Sequence, residues 1–237
     1  MTARRHRPKR QVRRAILIVC EGAQTEPCYF KALVRRLGLA ATVEVEIRGD
    51  TGYTDPAGLV EEAARLKKER ARKATKSNVE AAFEEVWVVF DIEHPGNGRH
   101  RAIAPAVQAA LAKTIKPILS RPSFEVWYLL HAQPTPPGVA SSEDCTPHLC
   151  ILMGTYGKDG ATASRAAEWA LPKTQHALNH GHRQDVFSAP KSTPAFHIPD
   201  AVGTAVHILV QSLVDMSSDE AGKRTLGIGA PAAPTTR

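Results

Sequence analysis

The chain has 237 residues, 43% of them hydrophobic, which is enough for one sizeable α/β core with an appendage and crowded for two independent domains. Its formal charge of +7 belongs to one end: residues 1–14 carry Arg4, Arg5, Arg7, Lys9, Arg10, Arg13 and Arg14 and no acid, and setting those seven aside leaves 24 basic against 24 acidic residues. Four cysteines argue against a disulfide framework, and no run approaches the ~18–20 apolar residues that cross a bilayer, so no membrane partner is expected and the cytoplasm is the expected compartment.

Residues 1–14 are expected to be a basic, flexible tail that gains order on a polyanion such as DNA or RNA; the same charge also serves plain solubility. The core begins with the continuously apolar Ala15-Ile16-Leu17-Ile18-Val19-Cys20, a pattern that predicts a central strand buried on both faces. Glu21 and Gly22 follow, and Thr25 is the expected N-cap of a helix with Tyr29, Phe30, Leu33, Val34 and Leu37 on one face, ended by Gly38. Val43, Val45 and Ile47 alternate in a second strand, and a charged helix is predicted over 56–73. A third strand, 86–90, runs into Asp91-Ile92-Glu93, with a loop at 94–98 and a helix over 103–113.

A fourth strand is predicted at 115–119, and Pro122 opens a helix with Phe124, Trp127, Tyr128 and His131 at packing intervals. Residues 133–148, rich in Pro, Ser and Thr, read as a surface loop, followed by helices at 162–179 and 200–215 and a disordered tail over 217–237. Strand and helix alternate four times, which predicts an α/β fold with an open, mainly parallel sheet flanked by helices over 15–132 and a C-terminal loop and helical extension over 133–216.

The chemistry is concentrated where the most apolar strands end. Ligands gather at the carboxyl edge of open α/β sheets, so Glu21 from one strand and Asp91 and Glu93 from another can converge on a hard divalent cation, Mg²⁺ or Mn²⁺. In extended backbone, residues two apart point the same way, which would set Asp91 and Glu93 side by side. Gly22 leaves room for backbone to approach a phosphate, and the helix opened by Thr25 favours an anion at its N-terminus.

Three segments taken together, Ile16 to Phe30, Val86 to Glu93 and Ile118 to His131, resemble the RloB-like family, named for open reading frames linked to restriction loci. Its fold is similar to Toprim, the α/β module of topoisomerases, primases and overcoming-lysogenization-defect nucleases. The resemblance covers about residues 13–215, more loosely after 132. It implies that Glu21 stands at the Toprim glutamate and that Asp91 and Glu93 stand at the D-x-D pair, with Glu93 departing from the aspartate expected there. It further implies metal-dependent phosphodiester hydrolysis in anti-phage defence, with an ATPase partner.

Glu26, in the first turn of its helix, and Glu125, just beyond the fourth strand, are further metal candidates whose simpler role is to favour a helix N-terminus. Ser120, Arg121 and Lys158 are candidate phosphate contacts. His131 reads as a packed histidine. Cys145, His148 and Cys150, and the later His176, His180 and His182, lack the C-x-x-C spacing of a zinc site, and Lys158 lacks the glycines of a nucleotide P-loop. The four tyrosines suggest no strand-passage nucleophile. Two readings remain: a Mg²⁺- or Mn²⁺-dependent nuclease, and a non-catalytic subunit that binds nucleic acid or an ATPase partner through its C-terminal helices.

Overall fold

The structure, a computed structural model, describes residues 13–53, 55–76, 80–93, 100–134, 138–184 and 201–229. The tail over 1–12, the loop at 94–98 and the last residues from 230 lie outside the described residues. β1 (Arg14–Cys20) is the centre of the sheet: every residue from Ala15 to Cys20 is fully buried, as a strand covered on both faces requires. It pairs in parallel with β2 (Val43–Arg48) on one side and β3 (Phe83–Asp91) on the other. β4 (Lys116–Arg121) extends the sheet in parallel beside β3, and β5 (Gly203–Thr204) closes it antiparallel to β4, giving the order β2-β1-β3-β4-β5.

Helices cross between the strands. α1 (Thr25–Arg36) links β1 to β2, α2 (Pro56–Ala74) links β2 to β3, and α3 (His100–Ala112) links β3 to β4. α2 starts as its sequence dictates: the Asp55 carboxylate accepts the Gly58 N–H at 2.8 Å, and Pro56 needs no donor at the first position. From β1 the chain turns toward β2, then passes back over β1 to build β3 and β4 on the other side. The crevice between the carboxyl ends of β1 and β3 is therefore the topological switch point, where side chains from adjacent strands meet without a crossover covering them.

Several boundaries differ from the sequence expectation. β3 starts at Phe83 and β4 runs on through Ser120 and Arg121, which pair with Thr204 and Gly203 of a strand that is only two residues long and carries no pattern of its own. α4 (Glu125–Leu130) follows a cis Arg121–Pro122 bond and packs its aromatic face as expected. The Tyr29 ring meets those of Phe30, Phe124, Trp127, Tyr128 and His131 edge-on at centroid distances of 5.6–6.2 Å, which clamps α1 to α4.

The stretch expected to be a loop to residue 148 becomes helical at α5 (Ser142–Met153). A capping box starts it: Ser141 Oγ accepts the Asp144 N–H, and the Asp144 carboxylate accepts the Ser141 N–H. The single helix expected over 162–179 is two, α6 (Gly160–Ala170) and α7 (Thr174–Gln184), joined by a 3-10 turn at Leu171–Lys173 where Pro172 cannot continue an α-helix. α8 (Val206–Met216) starts later than predicted. Residues past 217, expected to be disordered, form α9 (Glu220–Thr225) and bury Leu226, with Gly222 fitted against the Arg36 carbonyl at the end of α1. Among the described residues no helix is long and apolar enough to cross a membrane.

Candidate metal and phosphate cleft

A cleft of about 710 Å³ opens at the carboxyl edge of the sheet over the switch point. Glu21 leaves β1 with its backbone still tied to β3, its N–H reaching Val89 O at 3.1 Å. Its side chain then reaches the same neighbour: Oε2 accepts the Asp91 N–H at 3.1 Å. Asp91, the last residue of β3, accepts the Phe124 N–H on Oδ1 at 2.9 Å, at the start of α4. Glu21, just past β1, and Asp91, the last residue of β3, thus come together in the lining of one cleft.

Glu93 also lines the cleft, but not by the predicted geometry. β3 ends at Asp91, and the chain bends along β4, with Ile92 N–H bound to Ser120 O at 2.8 Å and Glu93 N–H to Pro122 O at 2.9 Å. Glu93 itself has φ of 57°, in the left-handed region that non-glycine residues seldom adopt. The simple alternation of an extended strand therefore stops one residue short of it.

Glu26 and Glu125 face the same cavity and are nearly fully buried. Glu26 lies in the first turn of α1, where Gln24 provides no side-chain cap, and its Oε1 accepts the Gly22 N–H at 3.0 Å. A Cβ on Gly22 would come within 2.8 Å of the Glu26 Cδ. The glycine thus admits an internal carboxylate, where the sequence suggested an incoming phosphate. Burial raises the Glu26 carboxyl to about 7 against the pull of the Glu26 and Gly22 backbone N–H groups, with Glu125 and Glu21 adding to the rise. Asp91 is pushed well above the usual carboxylate range by burial, then by the fields of Glu26, Glu21 and Glu125, while Lys158 opposes.

Glu125 opens α4 and takes two partners from the connector between α5 and α6. The Tyr156 O–H donates to Oε1 at 3.0 Å, and the Lys158 ammonium lies 3.4 Å from the same oxygen. Lys158 also donates to Ser142 Oγ at 2.7 Å. Its charge is disfavoured by partial burial, but Glu125 and Asp91 outweigh this and raise its pKa. Gly22 and Thr25 line the cleft; Ser120 and Arg121 do not. Ser120 Oγ is bonded to Thr204 Oγ1 at 2.7 Å, which ties β4 to β5, and Arg121 is buried at its strand position beside Gly203. Sequence reasoning missed Ser141, Ser142 and Glu143, which also line the cleft; the S-x-x-D spacing of Ser141 and Asp144 was the signal that a helix begins there.

In kind, this donor set suits a hard cation, since it offers only oxygen and its like charges raise one another's pKa. Among the described residues, however, no three His, Cys, Asp or Glu side chains are drawn together closely enough to hold a metal ion as they stand. His131 is the packed histidine expected: its Nδ1 meets Trp127 O at 2.8 Å, and burial lowers its pKa to about 3. The four cysteines are free.

No curated protein and no solved structure matches the chain. The model of the RloB-like protein family matches residues 16–213, a span that includes the switch point, the six cleft carboxylates and Lys158, and the chain belongs to that family.

Proposed function

We propose that this chain is a Toprim-like, Mg²⁺- or Mn²⁺-dependent nuclease that hydrolyses phosphodiester bonds of DNA or RNA in restriction-linked, anti-phage defence. One observation carries the reading: adjacent strands deliver Glu21 and Asp91 to the switch point, hydrogen-bonded to each other and open to a cleft shared with Glu93. These three would hold the cation, which supplies Lewis acidity toward a phosphoryl oxygen and charge for the departing alkoxide. The chain's own groups do the rest. The Phe124 N–H fixes Asp91 Oδ1, the Asp91 N–H fixes Glu21 Oε2, and Glu26, raised by burial to about 7, carries less negative charge near neutrality than an ordinary carboxylate. The apolar shell of α1 and α4 beneath holds these positions.

The deciding experiment compares the full chain with Asp91→Asn for nicking of plasmid and trimming of transfer RNA in Mn²⁺, with and without chelator, alongside calorimetric titration of Mn²⁺. Cleavage and metal binding lost together in the variant support the proposal. Cleavage indifferent to both chelator and substitution refutes it.

A second reading is favoured by two features: Glu93 stands in left-handed backbone, and no three-carboxylate cage is formed among the described residues. On this reading the chain is a regulatory subunit that binds nucleic acid or an ATPase partner. Mn²⁺ would then bind without specificity, and Glu21→Gln and Asp91→Asn would leave biological activity intact.

A further inference from the structure

We infer that Glu125 is a positioning residue that fixes Lys158 on the cleft wall, and that the Lys158 ammonium grips a phosphate of the bound nucleic-acid backbone. The inference rests on the phosphodiester reading above and gives two of its residues different tasks. Glu125, a metal candidate by sequence, is 2% exposed. Its Oε1 is engaged by the Tyr156 hydroxyl and faces the Lys158 ammonium. Ligating an ion through that oxygen would mean giving up both partners, which come from one connector and hold it against α4.

Lys158 is the cationic residue among the described residues lining a cleft that carries six acidic ones. Its side chain is 59% exposed, so a ligand can reach it. An ammonium has three N–H groups; Ser142 takes one and Glu125 faces the ammonium at 3.4 Å, which leaves at least one for a phosphate oxygen. An exposed lysine left alone loses its rotamer freedom when a ligand immobilises it. A buried carboxylate, itself held by a tyrosine, sets the ammonium in place beforehand. The dependence is mutual, because a buried carboxylate without its cation is strongly disfavoured.

Simple charge counting and this arrangement predict opposite signs for Glu125→Gln. Removing a negative charge from the cleft should tighten binding of a polyanion if charge alone matters. If Glu125 holds Lys158, the same substitution loosens the cation and weakens binding, while glutamine still accepts from Tyr156.

The test is fluorescence anisotropy of the full chain with labelled single-stranded DNA and RNA oligonucleotides and duplex DNA, in Ca²⁺ over a range of salt, with Mn²⁺ calorimetry beside it. Lys158→Met should weaken binding about fivefold to tenfold and lower the slope of log K against log salt by about 0.7–0.9. Glu125→Gln should weaken it by the same factor, the double variant should add little, and Glu125→Gln should keep the wild-type Mn²⁺ affinity. If Glu125→Gln does not fold, Tyr156→Phe, which frees the same carboxylate, should weaken binding about twofold to threefold. Tighter or unchanged binding in Glu125→Gln, or loss of its Mn²⁺ binding, overturns the positioning role. Unchanged binding in Lys158→Met overturns the phosphate contact but leaves the nuclease reading standing, provided Asp91→Asn still abolishes cleavage. A wild-type chain that binds none of the three probes overturns both.

Discussion

Replacing Gly22 with alanine tests whether the tight turn after β1 exists to seat the Glu26 carboxylate. The added Cβ would lie within 2.8 Å of Glu26 Cδ and closer still to Oε2, so the carboxylate must leave its seat. That forfeits the 3.0 Å bond from the Gly22 N–H, worth about 0.5–1.5 kcal/mol to a carboxyl this reluctant to ionise, and forces nearby repacking at about 1–3 kcal/mol. Taken together, the loss is about 2–4 kcal/mol, or about 5–15 °C in Tm for a chain of this size. Gly22 has no positive φ, so the backbone itself tolerates alanine. In a Glu26→Ala background the obstruction is gone, and the same substitution should be neutral or stabilise by up to about 1 kcal/mol through the unfolded chain. Thermal and urea unfolding of the four proteins in this double-mutant cycle measure the coupling. Equal destabilisation by Gly22→Ala in both backgrounds would refute the reasoning.

His131 predicts acid lability. Its folded pKa of about 3 lies below the usual 6.5, so as pH falls the unfolded chain takes up a proton that the folded chain refuses; stability present above about pH 6.5 is lost progressively toward pH 3. The wild type should lose about 2 kcal/mol between pH 7 and 5 that a His131→Phe variant does not, and parallel urea midpoints for the two proteins would contradict this. Ser120→Ala, which removes a buried hydroxyl pair rather than a phosphate contact, should cost about 1 kcal/mol in urea unfolding and leave oligonucleotide affinity unchanged. Deleting residues 1–12 removes Arg4, Arg5, Arg7, Lys9 and Arg10, and should flatten the salt dependence of duplex binding by up to about 4.5 in slope; an unchanged slope would assign the tail to solubility alone.

The strands that build the site were legible because burial on both faces leaves a plain mark: β1 is a run of six apolar residues, and β3 ends on an acid where its hydrophobic run stops. The sequence put Glu21 and Asp91 at one edge of the sheet, and the order β2-β1-β3-β4-β5 makes their strands neighbours. What the sequence hid depends on long-range partners. Ser120 resembled a residue of a helix N-terminus until Thr204, 84 positions away, turned out to bond it. Glu93 seemed to extend the strand because nothing local announces that its N–H will be captured by Pro122 O. Glu125 offers a carboxylate of the right kind in the right region, and only the distant Tyr156 and Lys158 reveal how it is engaged. The loop expected through 148 failed for a more instructive reason, since the proline and serine content that suggested irregular chain includes the Ser141 and Asp144 capping pair.

Lys158 and β5 both come from the portion that sequence alone had set apart as an extension. The acidic mouth therefore takes its roof and its counter-charge from residues synthesised long after its floor. A nascent chain can complete β1 through β4 while Glu21, Asp91 and Glu93 still face solvent, and the finished centre exists only once translation has passed residue 158. Any fragment ending near 132 would keep Glu21, Glu26 and Asp91 in their hydrogen bonds but leave Glu125 without Tyr156 and Lys158.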